Sequence, residues 1–161
     1  MALSAAGSIP PDAVVKGLKE ARINFVASLV QDDICDILRL LDREEGIMHV
    51  HLSREEEGFG ICAGAYLAGK NPAILMHNTG LLACSNAIYS LSIAHEIPVL
   101  LLVSYSGYFG EQNPWIVHPG QVTESALNAL GIKYWILREP AEVSPVLKAA
   151  LSAILKYSLF A

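Results

Sequence analysis

The 161-residue chain carries a net charge of −5 and is 53% hydrophobic with only 17% charged residues, whereas soluble domains usually hold about a quarter charged residues. Its mean hydropathy of +0.40 calls for a membrane or a large covered surface, and the most apolar run, Ile97 to Val103, is far short of the roughly 20 residues that cross a bilayer. A buried subunit interface is therefore expected, and the lack of any basic run or aromatic–basic interleaving argues against nucleic acid as a partner.

Pro10-Pro11-Asp12 opens a helix to about Ala21, because proline is tolerated in a first turn. Asn24 to Val30 reads as a buried strand. Asp33 to Asp42 carries Ile34, Ile37, Leu38 and Leu41 at helical spacing. Met48 to Leu52 is a short strand, followed by a helix over Ser53 to Ala68. Pro72 to Met76 is a strand ending at His77-Asn78-Thr79-Gly80. A helix over Leu82 to Ala94 precedes the strand Pro98 to Ser104. Tyr105 to Gly120 is turn-rich. A helix near Thr123 to Leu130, a strand over Lys133 to Leu137 and a helix from about Ala141 to Tyr157 complete the pattern.

Continuous apolar strands between helices predict an α/β fold, a three-layer, doubly wound, mostly parallel sheet with helices on both faces. One domain is expected over residues 1–161. Cys35, Cys62 and Cys84 are far apart with no Cys-x-x-Cys pair, which reads as reduced, buried thiols in a cytoplasmic protein. No metal site is expected on this chain, and the first residues, MALSAAGSIPP, lack the pattern of a signal peptide. In parallel sheets ligands sit beyond the carboxyl ends of the strands. That favours Leu52 to Gly60, His77 to Gly80 and Tyr105 to Gly120.

Two readings compete for the stretch that begins at Ser53. Ser53 and Glu56 have capping-box spacing, and three acids in a first turn complement the helix dipole. Gly58, Gly60 and Gly64 do not suit that reading, because each costs about 1 kcal/mol relative to alanine inside a helix. Glu56, Gly60 and Gly64 are spaced i, i+4, i+8 and share one face. Such a face presents a carboxylate and then a strip without side chains, against which a helix or a flat ligand can lie. Glu55 and Glu57 point elsewhere and are expected to be solvated.

Arg54-Glu55-Glu56-Glu57-Gly58-Phe59-Gly60-Ile61-Cys62-Ala63-Gly64-Ala65-Tyr66 resembles the glutamate helix of the pyrimidine-binding domain of thiamine-diphosphate enzymes. Counting back two residues from Gly58 and ten from Tyr66 places the family's glutamate at Glu56. Pro72-Ala73-Ile74-Leu75-Met76-His77-Asn78-Thr79-Gly80-Leu81-Leu82 is similar to the Gln-Asn-Ser-Gly block of the sulfopyruvate and phosphonopyruvate decarboxylases. Ile97 to Ser104 and Gly110-Glu111 extend the likeness, which runs from about Asn24 to the end. His77 stands where those relatives tend to have glutamine, and Tyr105-Ser106-Gly107 lacks the expected arginine.

The resemblance implies a 2-oxoacid decarboxylase subunit in which Glu56 contacts the aminopyrimidine of thiamine diphosphate. Gly60, Asn78, Thr79 and Gly80 are then cofactor-binding residues, with His77, His118 and Gln121 as candidate substrate contacts. His118, beside Pro119-Gly120, reads either as a proton shuttle or as an exposed loop histidine. His49 and His51 alternate along a strand and read as structural, and Asn78-Thr79-Gly80 also reads as a plain turn. No Gly-Asp-Gly occurs for a diphosphate-bound divalent ion, and no P-loop or GxGxxG is present. The resemblance therefore implies a beta subunit that holds the diphosphate and Mg2+, with pyrimidine domains pairing inside a hetero-oligomer. A phosphonopyruvate-decarboxylase or acetolactate-synthase-like subunit, or a non-catalytic flavodoxin-like module, remain the alternatives.

Overall fold

A computed structural model describes residues 9–108, 111 and 113–157; Gly110 and the first eight residues lie outside them. Helix α1 (Pro11–Glu20) leads into strand β1 (Phe25–Ser28), and a 3-10 turn over Asp32–Ile34 continues into α2 (Cys35–Leu41). Strand β2 (Met48–His51), helix α3 (Glu55–Leu67) and strand β3 (Pro72–His77) follow. Next come the short helices α4 (Asn78–Ala83) and α5 (Ser85–Ala87), the latter continued by a π-helical turn over Ile88–Ile93. Strand β4 (Leu100–Ser104) and helices α6 (Pro114–Ala129) and α7 (Pro140–Tyr157) complete the order.

The four strands form one parallel sheet in the order β2-β1-β3-β4. Ala27 pairs with both Val50 and Ile74, and Met76 pairs with Val103. Every residue of β1 and β3 is buried, as central strands covered on both faces require. Alternation along the strands then splits the core in two. Val26, Ala73, Leu75 and Leu100 meet α1, α2 and α7 through Leu18, Ile37, Leu41 and Leu147. Phe25, Ala27, Ile74 and Met76 meet the other layer through Phe59, Cys62, Leu81 and Ile88. Three layers follow directly.

Three expected elements differ. The helix expected over Leu82 to Ala94 begins already at Asn78 and is interrupted at Cys84, giving α4, α5 and the π-helical turn. Lys133–Leu137 forms no strand; Tyr134 and Ile136 line, together with Leu101 and Val103 of β4, a cavity of about 490 Å³. The turn-rich segment is also shorter than predicted, since α6 begins at Pro114 with Asn113 Oδ1 accepting from the Trp115 N–H at 3.1 Å. Proline is suited to a first turn. Pro119-Gly120 does not break the helix. A Cβ on Gly120 would run into the backbone of Gly107, which itself has φ +79°, so the pair marks a backbone-to-backbone crossing rather than a turn.

Among the described residues, no helix is long and apolar enough to cross a membrane.

Candidate functional site

The first turns of α3 and α4 lie side by side at the carboxyl ends of β2 and β3. The three consecutive glutamates of α3 take three different environments. Glu57 caps its own helix. Its Oε2 accepts from the backbone N–H of Ser53 at 3.1 Å and of Arg54 at 3.3 Å. The expected pairing of Ser53 with Glu56 is thus made by Glu57 instead, because the helix starts one residue later and Glu57 is the N3 position.

Glu55 leans onto α4. Its carboxylate occupies the space where a Cβ on Gly80 would stand, so Gly80 is buried beneath it. This corrects the expectation of a solvated Glu55, which is half-buried.

Glu56 is exposed, and so are Gly60 and Gly64 one and two turns further along. A Cβ added at Gly60 or Gly64 would meet nothing within 4 Å. Gly58 is different: a Cβ there would come 2.9 Å from Leu52 Cδ1 and 3.4 Å from Ile74. Packing on the sheet accounts for Gly58 and leaves Gly60 and Gly64 without an intrachain reason. The same outer side of α3 exposes Ile61 and Leu67.

The Asn78 block is the opening turn of α4 rather than a free turn. His77, its N-cap, is buried, and its Nδ1 accepts from the Thr79 N–H at 3.2 Å and lies 2.7 Å from Thr79 Oγ1. Thr79 is exposed. Asn78 is fully buried and donates from Nδ2 to the Ser106 carbonyl at 2.9 Å and to Thr123 Oγ1 at 3.0 Å. It clamps α4 to the loop after β4 and to α6. Its Oδ1 is buried with no protein partner, a cost that a ligand or water donor would remove.

His118 and Gln121 face solvent on α6, while Gly120 and Thr123 of the same helix face inward. They are helical, not loop residues, on the helix that Asn78 reaches through Thr123. Burial holds the thiols of Cys62 and Cys84 at about 12, with Glu55 and Glu56 adding to the rise at Cys84, so neither is a nucleophile near neutral pH. Cys35, Cys62 and Cys84 are all free.

Burial lowers the pKa of His77 against the opposing pull of Asp33 and Glu55. Its bare Nδ1 serves as an acceptor, so the neutral form is the one the fold uses. The unfolded chain, titrating near 6.5, then binds more protons than the folded chain in acid, and stability falls as pH drops below that value. His49 is shifted downward too, burial outweighing Asp42. The denaturation midpoint is expected to fall between about pH 7.5 and about pH 5.5, and His77→Gln to lessen that fall. Urea titrations at the two pH values measure it; an unchanged pH dependence in the variant would mean that His77 does not contribute.

Sequence reasoning missed Glu55 over Gly80 and the clamp from Asn78 to Ser106 and Thr123. The second joins residues 28 and 45 positions apart, a separation no local spacing reveals.

Comparison with known proteins agrees with this architecture. The family described as thiamine pyrophosphate enzyme, N-terminal TPP binding domain, matches residues 11–134. Sulfopyruvate decarboxylase subunit alpha of Methanocaldococcus jannaschii is 38% identical over 91% of this chain and 86% of its own length. The Methanothermobacter thermautotrophicus subunit alpha is 41% identical over 81% of this chain and 79% of its own length. The Methanosarcina acetivorans sulfopyruvate decarboxylase is 37% identical over 86% of this chain but only 35% of its own length. A solved 2-oxoglutarate:ferredoxin oxidoreductase from Magnetococcus marinus aligns with TM-score 0.51 at 18% identity, over 77% of this chain and 27% of that one, a likeness of fold alone. With a parallel sheet, a glutamate-headed α3 and relatives matched over most of their length, the chain belongs to the thiamine pyrophosphate enzyme N-terminal domain family, in the group that includes these sulfopyruvate decarboxylase alpha subunits.

Proposed function

We propose that residues 1–161 act as one pyrimidine-binding domain, the alpha subunit of a cytoplasmic decarboxylase that converts sulfopyruvate to sulfoacetaldehyde and CO2. The observation that carries this reading is the exposed Glu56 heading the bare Gly60–Gly64 strip. The names of the M. jannaschii and M. thermautotrophicus relatives support the substrate. The free cysteines suit a reducing compartment.

The residues present fit thiamine diphosphate on this side of the site. A flat ring can lie along Gly60 without a clash, Glu56 offers a carboxylate at its end, and Asn78 Oδ1 is an orphaned acceptor below the Thr79–Gly80 turn. Glu56 would hold the cofactor by a hydrogen bond to a ring nitrogen, and in a site closed by a second chain that bond would be stronger than in water. Thr79 is exposed for contact, and Asn78 fixes the α4 turn that presents it. His77, buried as the N-cap of α4, would orient that turn towards substrate, and His118 and Gln121, exposed on α6, would be further substrate contacts. When bound, thiamine diphosphate supplies the electron sink for the carbanion left by CO2.

The diphosphate and its Mg2+ belong on a beta subunit, since this chain has neither Gly-Asp-Gly nor a P-loop. Pyrimidine domains would pair within the resulting hetero-oligomer. The longer M. acetivorans relative, of which the match covers 35%, suits a two-part arrangement joined in one polypeptide.

The isolated chain is therefore expected to release no CO2 from sulfopyruvate and to bind thiamine diphosphate only weakly, with activity appearing when a companion containing Gly-Asp-Gly and asparagine is added. Calorimetric titration of the cofactor, with and without Mg2+, checks the first half. Micromolar binding to the chain alone would sink the half-site reading, and turnover of other oxoacids in preference to sulfopyruvate would sink the substrate assignment.

A further inference from the structure

Strand β2 and the end of α2 carry a side-chain cluster that the proposed cofactor site does not use. His49 and His51 lie two apart on an edge strand, so both project to the same side. Asp42, directly after α2, reaches both. Its Oδ1 is 2.7 Å from His49 Nδ1 and 2.8 Å from His51 Nε2. One ligand atom from each residue lies within 4.8 Å of the others, and the two rings are 4.4 Å apart. The His49 side chain is 3% exposed, whereas those of His51 and Asp42 are 55% and 46% exposed. The cluster thus has a closed back and an open front.

We propose that Asp42, His49 and His51 bind a first-row divalent cation of the zinc class. Two imidazoles with one carboxylate suit such ions, whereas magnesium and calcium prefer oxygen donors. Three protein ligands leave a fourth position for water on the open side. The present contacts are hydrogen bonds, and the side chains need to part by only about half an ångström for metal bonds of roughly 2.0–2.2 Å.

The proton inventory also permits it. A metal-binding imidazole donates its other ring N–H to a fixed partner, and His49 has one: Nε2 lies 2.7 Å from Ser28 Oγ on neighbouring β1. A hydroxyl accepts as readily as it donates. A neutral His49 can therefore place its proton on Nε2 towards Ser28 and leave Nδ1 bare. His51, with its other nitrogen towards solvent, can do the same without any net proton loss. The bound ion would fasten the end of α2 to the strand that runs into Leu52 and α3. Unlike the Mg2+ assigned to a companion, it belongs wholly to this chain.

The test uses the full, untagged chain, stripped with a chelator, in a Cys35→Ser background that removes the partly exposed thiol. Calorimetric titration with Zn2+ is expected to give one ion per chain, and Co2+ to give a visible absorption band of a low-coordinate nitrogen–oxygen site. His51→Gln, at a half-exposed side chain, should keep the fold and weaken binding by at least about a hundredfold, and Ser28→Ala by about tenfold. His95→Gln, at an exposed histidine elsewhere, should change nothing. Zn2+ should also raise the thermal midpoint of the parent but not of His51→Gln. Absence of stoichiometric binding, or binding that survives His51→Gln unchanged, would overturn the proposal and leave Asp42 as the acceptor of two hydrogen bonds.

Discussion

Glu56→Gln is expected to leave the chain folded and to lower decarboxylation by the assembled enzyme at least about a hundredfold, the scale of losing one positioned proton-transfer group. The side chain is exposed in this chain, so its loss removes no packing. Glutamine is nearly as good a helix former as glutamate, and the lost dipole interaction is worth about 0.3–1 kcal/mol at most. Stability and activity should therefore separate. Glu57→Gln is the clean control, because an amide oxygen still accepts from Ser53 and Arg54 and the cap survives. Glu55→Gln is a weaker control, since Glu55 rests on Gly80 and its change should disturb the α4 turn modestly. The measurement is steady-state CO2 release with the companion present, alongside circular dichroism of each variant. Equal losses at all three positions would mean that the division of the glutamates is wrong.

How much of this was legible depends on the range of each interaction. Strands β1, β3 and β4 announced themselves as continuous apolar runs, β1 and β3 because both their faces are covered. The shared face of Glu56, Gly60 and Gly64 followed from helical spacing alone. Which glutamate does what did not follow, since capping depends on a helix start that shifts by one residue, and Glu55 is claimed by α4, a partner 25 positions away in sequence. Lys133–Leu137 has the composition of a strand, yet composition does not supply a neighbour, and the segment lines a cavity with β4 instead of pairing with it. Pro119-Gly120 misled for a similar reason: the pair reads as a breaker, whereas Gly120 serves a crossing with Gly107. His49 and His51 were visible as a strand pair, but Asp42 enters only through the turn after α2.

Leucine at Gly60 or Gly64 is expected to abolish assembly while leaving the isolated chain as stable as before or more so. Nothing lies within 4 Å of a Cβ at either position, so the new side chain enters open space. Replacing glycine in a helix interior gains about 1 kcal/mol of intrinsic propensity. Gly58→Leu should do the opposite, because Leu52 and Ile74 already fill that side, and overpacking there costs about 1–3 kcal/mol. The contrast isolates the cause. If the strip is bare only because glycine happened to fall there, Gly60→Leu and Gly64→Leu should assemble and turn over normally. If the strip is a contact surface for a second chain or for the cofactor, four added carbons leave no room for either, and the complex should be lost although the monomer melts no lower. Thermal melts of each variant alone, followed by size-exclusion chromatography with the companion subunit, read the two effects separately. Retained assembly and turnover in both outer variants would remove the physical argument for the Glu56 face.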